Sequence, residues 1–331
     1  MICLILFNPT IDRIIEIPNF QPNGTYKINK EYLFPLGKAI SVGLTIRELD
    51  KNIKLNLISF IGKNEIKIYQ EFLNSKNITN YLIPVEGKTR SNITIIDNLK
   101  ETTTHIRFPG FEVNESNLSE MKNKILNLIR NDDYIIISGS FPNGMACDFI
   151  YKELTPIIHK RNAKLVIDTS GEPLNYIVDS KPHFIKLNIV ETNQILKKNL
   201  VDSEELNNPP TNDFLKRISN EIKYCDKIIE AFNHGLKFYI LTLGKYGSLY
   251  ISNDEIIYSY LNIEKSYYNV GCGDSFLGGL VYGLTNNHNI IDCLKIATSC
   301  GAANTQTIGA GILKKEHVFN FFNHVNIIKI N

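Results

Sequence analysis

The 331-residue chain has little of what marks the specialised classes of protein. Its six cysteines (Cys3, Cys147, Cys225, Cys272, Cys293 and Cys300) form no CxxC pair, and no histidine stands beside them at metal-ligand spacing. A disulfide scaffold or zinc ribbon is thereby excluded, and free, mostly buried thiols in a reducing compartment are expected. Neither sign of charge is in excess: 36 basic residues oppose 34 acidic ones, and the lysines are spread along the chain. Nucleic-acid binding needs a clustered basic face, so no nucleic-acid partner is expected. No apolar run approaches the length of a membrane span, and the start "MICLILFNPTID" lacks the basic flank of a signal peptide. The expectation is a cytoplasmic protein with no membrane partner. Internal repeats and low-complexity tracts are also missing. What remains, 43% hydrophobic and 21% charged, is the composition of a soluble globular protein with room for a large core.

Short apolar runs recur at "MICLILF" (1–7), "NLISFIG" (56–62), "YIIISGS" (134–140), "KLVIDTS" (164–170), "HFIKLN" (183–188) and "FYILTLG" (238–244). Runs that are apolar throughout suit parallel strands buried on both faces. Helical patterns at 116–131, 146–162 and 213–235 lie between them. The alternation predicts one α/β domain over 1–331, three-layered and doubly wound around a mostly parallel sheet, with ligands outside the carboxyl ends of the strands. Two stretches, 12–35 and 88–108, alternate like strands and break this rhythm. "RSNITIIDNLKETTTHIRF" (90–108) reads as a hairpin turning near Asp97-Asn98-Leu99. Together they predict a small inserted β lid. From about 275 the chain reads as mainly helical.

Several positions carry possible chemistry. In "NVGCGDSFLGGLVYGL" (269–284), Asp274 follows Gly271, Cys272 and Gly273 at the head of a helical segment. Backbone N–H groups at such a turn form an anion cradle, and the acid is either a base toward a hydroxyl or a cap. "NIVE" sets Asn188 and Glu191 three apart after a strand, suited to a magnesium ion held through water or to a capping box. "SGSFPNG" (138–144), beginning at Ser138, offers small polar groups to a substrate. "LTLGKYGSLY" (241–250), with Thr242, Gly244 and Gly247, is a glycine turn that either walls a nucleotide base or is a plain hairpin. Asp12 lies beyond the first strand. Gly37-Lys38 enters a helix, and Lys27 and Arg90 fall in the lid stretches; converging there, Lys38, Lys27 and Arg90 would make a phosphate site.

With Asp12, Gly37-Lys38, Ser138-Gly139-Ser140, Asn188-x-x-Glu191 and Gly271-x-Gly273-Asp274 in this order, essentially the whole chain resembles the PfkB (ribokinase-like) carbohydrate kinases. It looks closest to their phosphosugar branch, of the 1-phosphofructokinase and tagatose-6-phosphate kinase type. The resemblance implies ATP and Mg²⁺ and a phosphosugar acceptor: fructose 1-phosphate, tagatose 6-phosphate or fructose 6-phosphate. It implies that Asp274 deprotonates the sugar hydroxyl and that Gly271, Cys272 and Gly273 supply an anion hole. By the same token Asn188 and Glu191 position magnesium and Asp12 binds sugar hydroxyls. Lys38 and Arg90, with Lys27, hold the sugar's phosphate, while Gly244, Gly247 and Asn304 border the adenine. A homodimer paired through the lid strands is a further expectation. The sequence departs from the family's Gly-Gly-Lys-Gly…Asn motif, carrying Leu36 and Ala39 at glycine positions and Ser41 at the asparagine. Leu36 and Ala39 are expected to narrow the sugar pocket. Two other readings stay open: a kinase of an unphosphorylated sugar or nucleoside, and a sugar-phosphate sensor without catalysis.

Overall fold

The computed structural model describes all residues except 29, 202–204, 206, 207 and 331. The strands are β1 (Ile2–Leu6), β2 (Thr10–Glu16), β3 (Glu31–Leu36), β4 (Leu55–Gly62), β5 (Thr79–Val85), β6 (Arg90–Asp97) and β7 (Thr102–Arg107), followed by β8 (Tyr134–Ser138), β9 (Lys164–Asp168), β10 (Phe184–Asn188), β11 (Phe238–Thr242), β12 (Ser248–Ile251), β13 (Ile256–Tyr260) and β14 (Asn326–Ile330). The helices are α1 (Lys38–Leu49), α2 (Ile66–Ser75), α3 (Glu115–Leu128), α4 (Thr155–Lys160), α5 (Ile189–Leu196), α6 (Asn212–Lys223), α7 (Asp226–Asn233), α8 (Cys272–Thr285), α9 (Ile290–Asn304) and α10 (Lys315–Phe322). None of the described helices is long and apolar enough to cross a membrane.

Ten strands form one sheet in the order β14-β13-β12-β11-β10-β9-β8-β1-β4-β5, parallel from β11 to β5 and antiparallel beyond β11. The apolar runs explain the layers. In β1, Ile2, Leu4 and Leu6 point to one face, which α1, α8 and α9 cover with Ile40, Leu277 and Leu294. Cys3 and Ile5 point to the other, covered by Met121 of α3, Ile158 of α4 and Ile218 of α6. All five residues of β1 are fully buried, as continuous hydrophobicity requires.

The predicted strands are all present within one or two residues of their expected ends. Three observed strands were not legible, β5, β13 and β14. β5 mixes exposed and buried positions at the sheet edge, and β14 pairs with β13 in a region whose sequence reads as helical.

A second sheet, β3-β2-β6-β7, is built from the two interrupting stretches. The 12–35 stretch is not continuous strand; the described residues between β2 and β3 form no regular element. The hairpin β6–β7 turns where expected. There Asp97 accepts hydrogen bonds from the N–H groups of Leu99 and Lys100, and from those of Asn19 and Phe20 across the sheet. Register sets the inner face of this sheet. Phe34, Asp12, Asn92 and Arg107 lie in one row across the four strands, beside the row Tyr32, Ile14, Thr94 and His105.

Candidate active site

Strand order reverses between β1 and β8, since β1 leads outward to β4 while β8 leads to β9, β10 and β11. The carboxyl ends flanking that reversal are where a doubly wound sheet leaves a crevice. Asp168, the last residue of β9, sits there with no exposure. Its Oδ1 accepts hydrogen bonds from Lys186 Nζ at 3.2 Å and Lys38 Nζ at 3.3 Å, and its Oδ2 accepts from Ser138 Oγ at 3.1 Å. Burial pushes this carboxyl up, but Lys186 and Lys38 outweigh burial and hold it below the usual carboxylate range. Burial likewise pushes the Lys38 ammonium down, and Asp168, Asp274 and Glu191 together raise it above its ordinary value.

Asp274 occupies the first turn of α8, whose N-cap Gly271 adopts φ +85°. An L side chain is strained there, and a Cβ would also meet Ala310 Cβ at 2.4 Å. The following turns explain the other glycines. A Cβ at Gly278 would strike Thr45 of α1 at 2.7 Å, and one at Gly279 would strike Cys300 of α9 at 2.8 Å. The two neighbouring helices therefore press onto α8 and hold its N-terminus in place. Gly273 faces Lys186, whose Nζ would lie 3.6 Å from a Cβ there. The N-terminus of α8 and the buried ammonium thus share one space. Burial lifts the Asp274 carboxyl to about 7; Lys38 draws it down and Asp168 pushes it further up.

Asp12, Asn92 and Arg90 form a separate cluster. Asp12 Oδ1 accepts from Asn92 Nδ2 at 2.9 Å and Thr10 Oγ1 at 3.0 Å. Burial raises its carboxyl, while these hydrogen bonds, Arg90 and Arg107 restrain the rise. Arg90 Nε donates to Pro9 O at 3.3 Å and its Nη2 to Asn8 O at 3.2 Å.

The ammonium of Lys38 bonds to Asp168, while Arg90 lies with Asp12 and Lys27 is exposed between β2 and β3. Ser138 is 1% exposed and spends its hydroxyl on Asp168, so it supports the charge cluster instead of lining a pocket. Asn304 is fully buried. It donates to Val270 O at 2.8 Å and accepts from Ser275 Oγ at 2.9 Å and Gly311 N at 2.8 Å, tying the approach to α8 onto α9. Leu36, at the end of β3, and Ala39, in the first turn of α1, are both buried in the core, and Ser41 Oγ donates back to Gly37 O at 3.3 Å. The positions at the end of β11 are unequal. Thr242 Oγ1 donates to Leu187 O at 3.3 Å. A Cβ at Gly244 would meet nothing within 4 Å, whereas one at Gly247 would collide with Ser259 O at 2.1 Å. Gly247 is therefore required by packing and Gly244 borders open space.

Asn188 and Glu191 form a full capping box on α5. Asn188 Oδ1 accepts from Glu191 N and Glu191 Oε2 accepts from Asn188 N, both at 2.9 Å. Among the described residues no three His, Cys, Asp or Glu side chains gather to hold a metal. This donor set offers one uncommitted carboxylate oxygen, Glu191 Oε1. That fits a hard cation held mainly by water and substrate oxygens, and no all-protein cage.

Four residues of the site escaped the sequence reading: Asp168, Lys186, Asn92 and Arg107. Lys186 carried a signal, a lysine inside the apolar run "HFIKLN", since a buried ammonium demands a partner. Asn92 carried another, because period two from Arg90 places it on the same face. Asp168 and Arg107 became neighbours of the site only through strand order.

Fold and site together define a doubly wound α/β protein that sets a buried acid at a glycine-bounded helix N-terminus over paired lysines at its switch point. The model of the pfkB family carbohydrate kinases matches residues 7–316, and the chain belongs to that family. It is accordingly a phosphotransferase with an alcohol group as acceptor, and ATP is the donor that kinase chemistry implies. Among curated relatives, it is 29% identical to 1-phosphofructokinase of Borreliella burgdorferi over 305 residues, 92% of this chain and 91% of that one. It is 24% identical to tagatose-6-phosphate kinase of Staphylococcus epidermidis over the full length of both. Among solved structures, phosphofructokinase-2 from Escherichia coli in complex with substrates and products superposes with a TM-score of 0.82 at 19% identity. That match covers 97% of this chain and 99% of the other.

Proposed function

We propose that the protein transfers the γ-phosphate of ATP to a hydroxyl of a ketohexose phosphate, of the fructose 1-phosphate, tagatose 6-phosphate or fructose 6-phosphate class. The names of the two curated relatives support the substrate class. The observation that carries the chemistry is Asp274, a buried carboxyl raised to about 7 on a glycine-bounded helix terminus that faces Lys186. A base of that strength is matched to taking a hydroxyl proton near neutral pH. The N–H groups of Gly271, Cys272 and Gly273 receive the charge that develops on the transferred phosphoryl group. Lys38 and Lys186, held by Asp168, keep two positive charges at the same place, so Lys38 serves the phosphoryl in transfer and not the phosphate already on the sugar. Asp12, fixed by Thr10 and Asn92, accepts from the sugar's hydroxyls. Arg90 takes the sugar's phosphate, assisted by Lys27 when the second sheet acts as a lid.

Glu191, through water and assisted by Asn188, would hold Mg²⁺, which would supply charge neutralisation for the phosphates. Thr242 and Gly244, at the end of β11, border the adenine. A homodimer through the lid is supported by its outward row, where Leu33 and Ile106 are 45% and 43% exposed; sedimentation of wild type against Ile106→Lys tests it. The activity itself is tested by ADP release with the three phosphosugars, with free fructose and a nucleoside as controls. Turnover confined to the phosphosugars is expected. Equal turnover of fructose would overturn the substrate class, and no turnover of any would overturn the activity.

A further inference from the structure

Asn304 is the last residue of α9, and no step of the proposed transfer uses it. Its amide can sit only one way round, because the Gly311 N–H can only donate and the Val270 carbonyl can only accept. Oδ1 therefore takes Gly311 N and Ser275 Oγ, and Nδ2 faces Val270 O, with Cys272 Sγ 3.7 Å from the same nitrogen. Thr45 of α1 extends this chain of hydrogen bonds, its Oγ1 donating to Ser275 Oγ at 3.2 Å. Asn304, Ser275 and Thr45 are all fully buried.

The Val270 carbonyl and the Gly271 N–H are the two ends of one trans peptide unit and point in opposite directions. Fixing the oxygen therefore fixes the hydrogen. This plane needs an outside hold, because glycine tolerates either sign of φ and the peptide before it can turn over at little steric cost. Asn304 supplies that hold from α9. Its bond to Val270 O also polarises the peptide, which strengthens the Gly271 N–H as a donor. Through Gly311 the same side chain anchors the loop that abuts the turn, where a Cβ at Gly271 would lie 2.5 Å from Ala310 Cα. Resting on the phosphoryl-transfer reading of this turn, we infer that Asn304 is a positioning residue for the transition state, aiming the Gly271 N–H at the phosphoryl group in transfer.

Steady-state kinetics of Asn304→Ala, with Thr45→Val as the control, test this beside urea denaturation of both. Thr45→Val removes a hydroxyl from the far end of the chain of hydrogen bonds and leaves the bond to Val270 O in place. Both variants should lose stability. Asn304→Ala should also lower kcat by about tenfold or more, toward the roughly 10²–10³-fold cost of a lost oxyanion-hole donor, with KM for ATP and for the acceptor held within about twofold. Thr45→Val should keep kcat within about twofold of wild type. A merely structural role predicts that kcat, corrected for the folded fraction, is unmoved in both, and that result would overturn the inference. So would a raised KM for ATP with kcat held, which assigns Asn304 to a contact with the nucleotide. If Asn304→Ala fails to fold, Asn304→Asp keeps the bonds from Gly311 and Ser275 and, read at pH 9, has no proton to give Val270 O. A fall in kcat there with both KM values held supports the role, and an undiminished kcat overturns it. Wild type that turns over only an unphosphorylated sugar sinks the substrate class, and the same comparison on that sugar still decides the role of Asn304. Wild type inert toward every acceptor sinks the transfer reading and this inference with it.

Discussion

Replacing Asp274 by asparagine should make the protein nearly inactive and more stable at once. As the base it should cost on the order of 10²–10⁴-fold in kcat. The stability change follows from linkage. The carboxyl is raised by burial from its ordinary 3.8 to about 7 in the folded chain, so between those values the native state holds a proton that the unfolded state has released. Wild-type stability therefore falls as pH rises from about 4 to 7 and levels off above. At about 1.4 kcal/mol per unit, full expression would be on the order of 4 kcal/mol. Relaxation of Lys38 and the amide's own hydrogen-bonding needs reduce this, and a gain of about 2 kcal/mol for the variant is expected at pH 8. Urea denaturation of both proteins at pH 5, 6, 7 and 8 measures it, beside ADP release at pH 8. The gain should grow with pH up to about 7 and then hold constant. A variant less stable than wild type at pH 8, or one that turns over as fast, would refute the assignment of a strained buried base.

The pH–rate profile of the wild type should show kcat/KM rising through about pH 7 as Asp274 ionises, and this rise should be absent from the residual activity of Asp274→Asn. Lys186→Met leaves Asp168 buried with only the half-buried Lys38 as cation; a loss of about 3 kcal/mol in urea titrations is expected, with a fall in kcat. Gly271→Ala forces φ +85° on an L residue and drives a methyl into Ala310, so turnover should collapse and thermal stability drop by about 2 kcal/mol or more. Arg47→Ala, by contrast, removes hydrogen bonds to Lys51 O and Asn77 O far along α1 from its N-terminus, and should lower stability while leaving both KM values unchanged.

Much of this molecule was decided locally and was therefore legible. A run such as "YIIISGS" is apolar at every position, which only a strand covered on both faces tolerates, and the parallel sheet follows from a set of such runs. Gly271, before Asp274, was legible for a similar reason, since a backbone turn with φ +85° strains any other residue whatever lies nearby. Asn188 and Glu191 form their reciprocal cap from a three-residue spacing alone.

What sequence could not decide was which charge meets which. Lys38, Lys27 and Arg90 looked alike as cations near predicted turns. Only strand order, with β9 and β10 stacked beside β8 at the switch point, brings Asp168 and Lys186 under the helix that carries Asp274 and so draws Lys38 away from Arg90. Leu36 likewise looked like an intrusion into a pocket until its strand's register turned it into the core. Local sequence thus determined the elements and the glycine turn before Asp274, because dihedral preference and hydrophobic period act over a few residues. The electrostatics of the site belongs to the tertiary structure, because an ion pair's strength depends on distance and burial between groups more than a hundred residues apart in the chain.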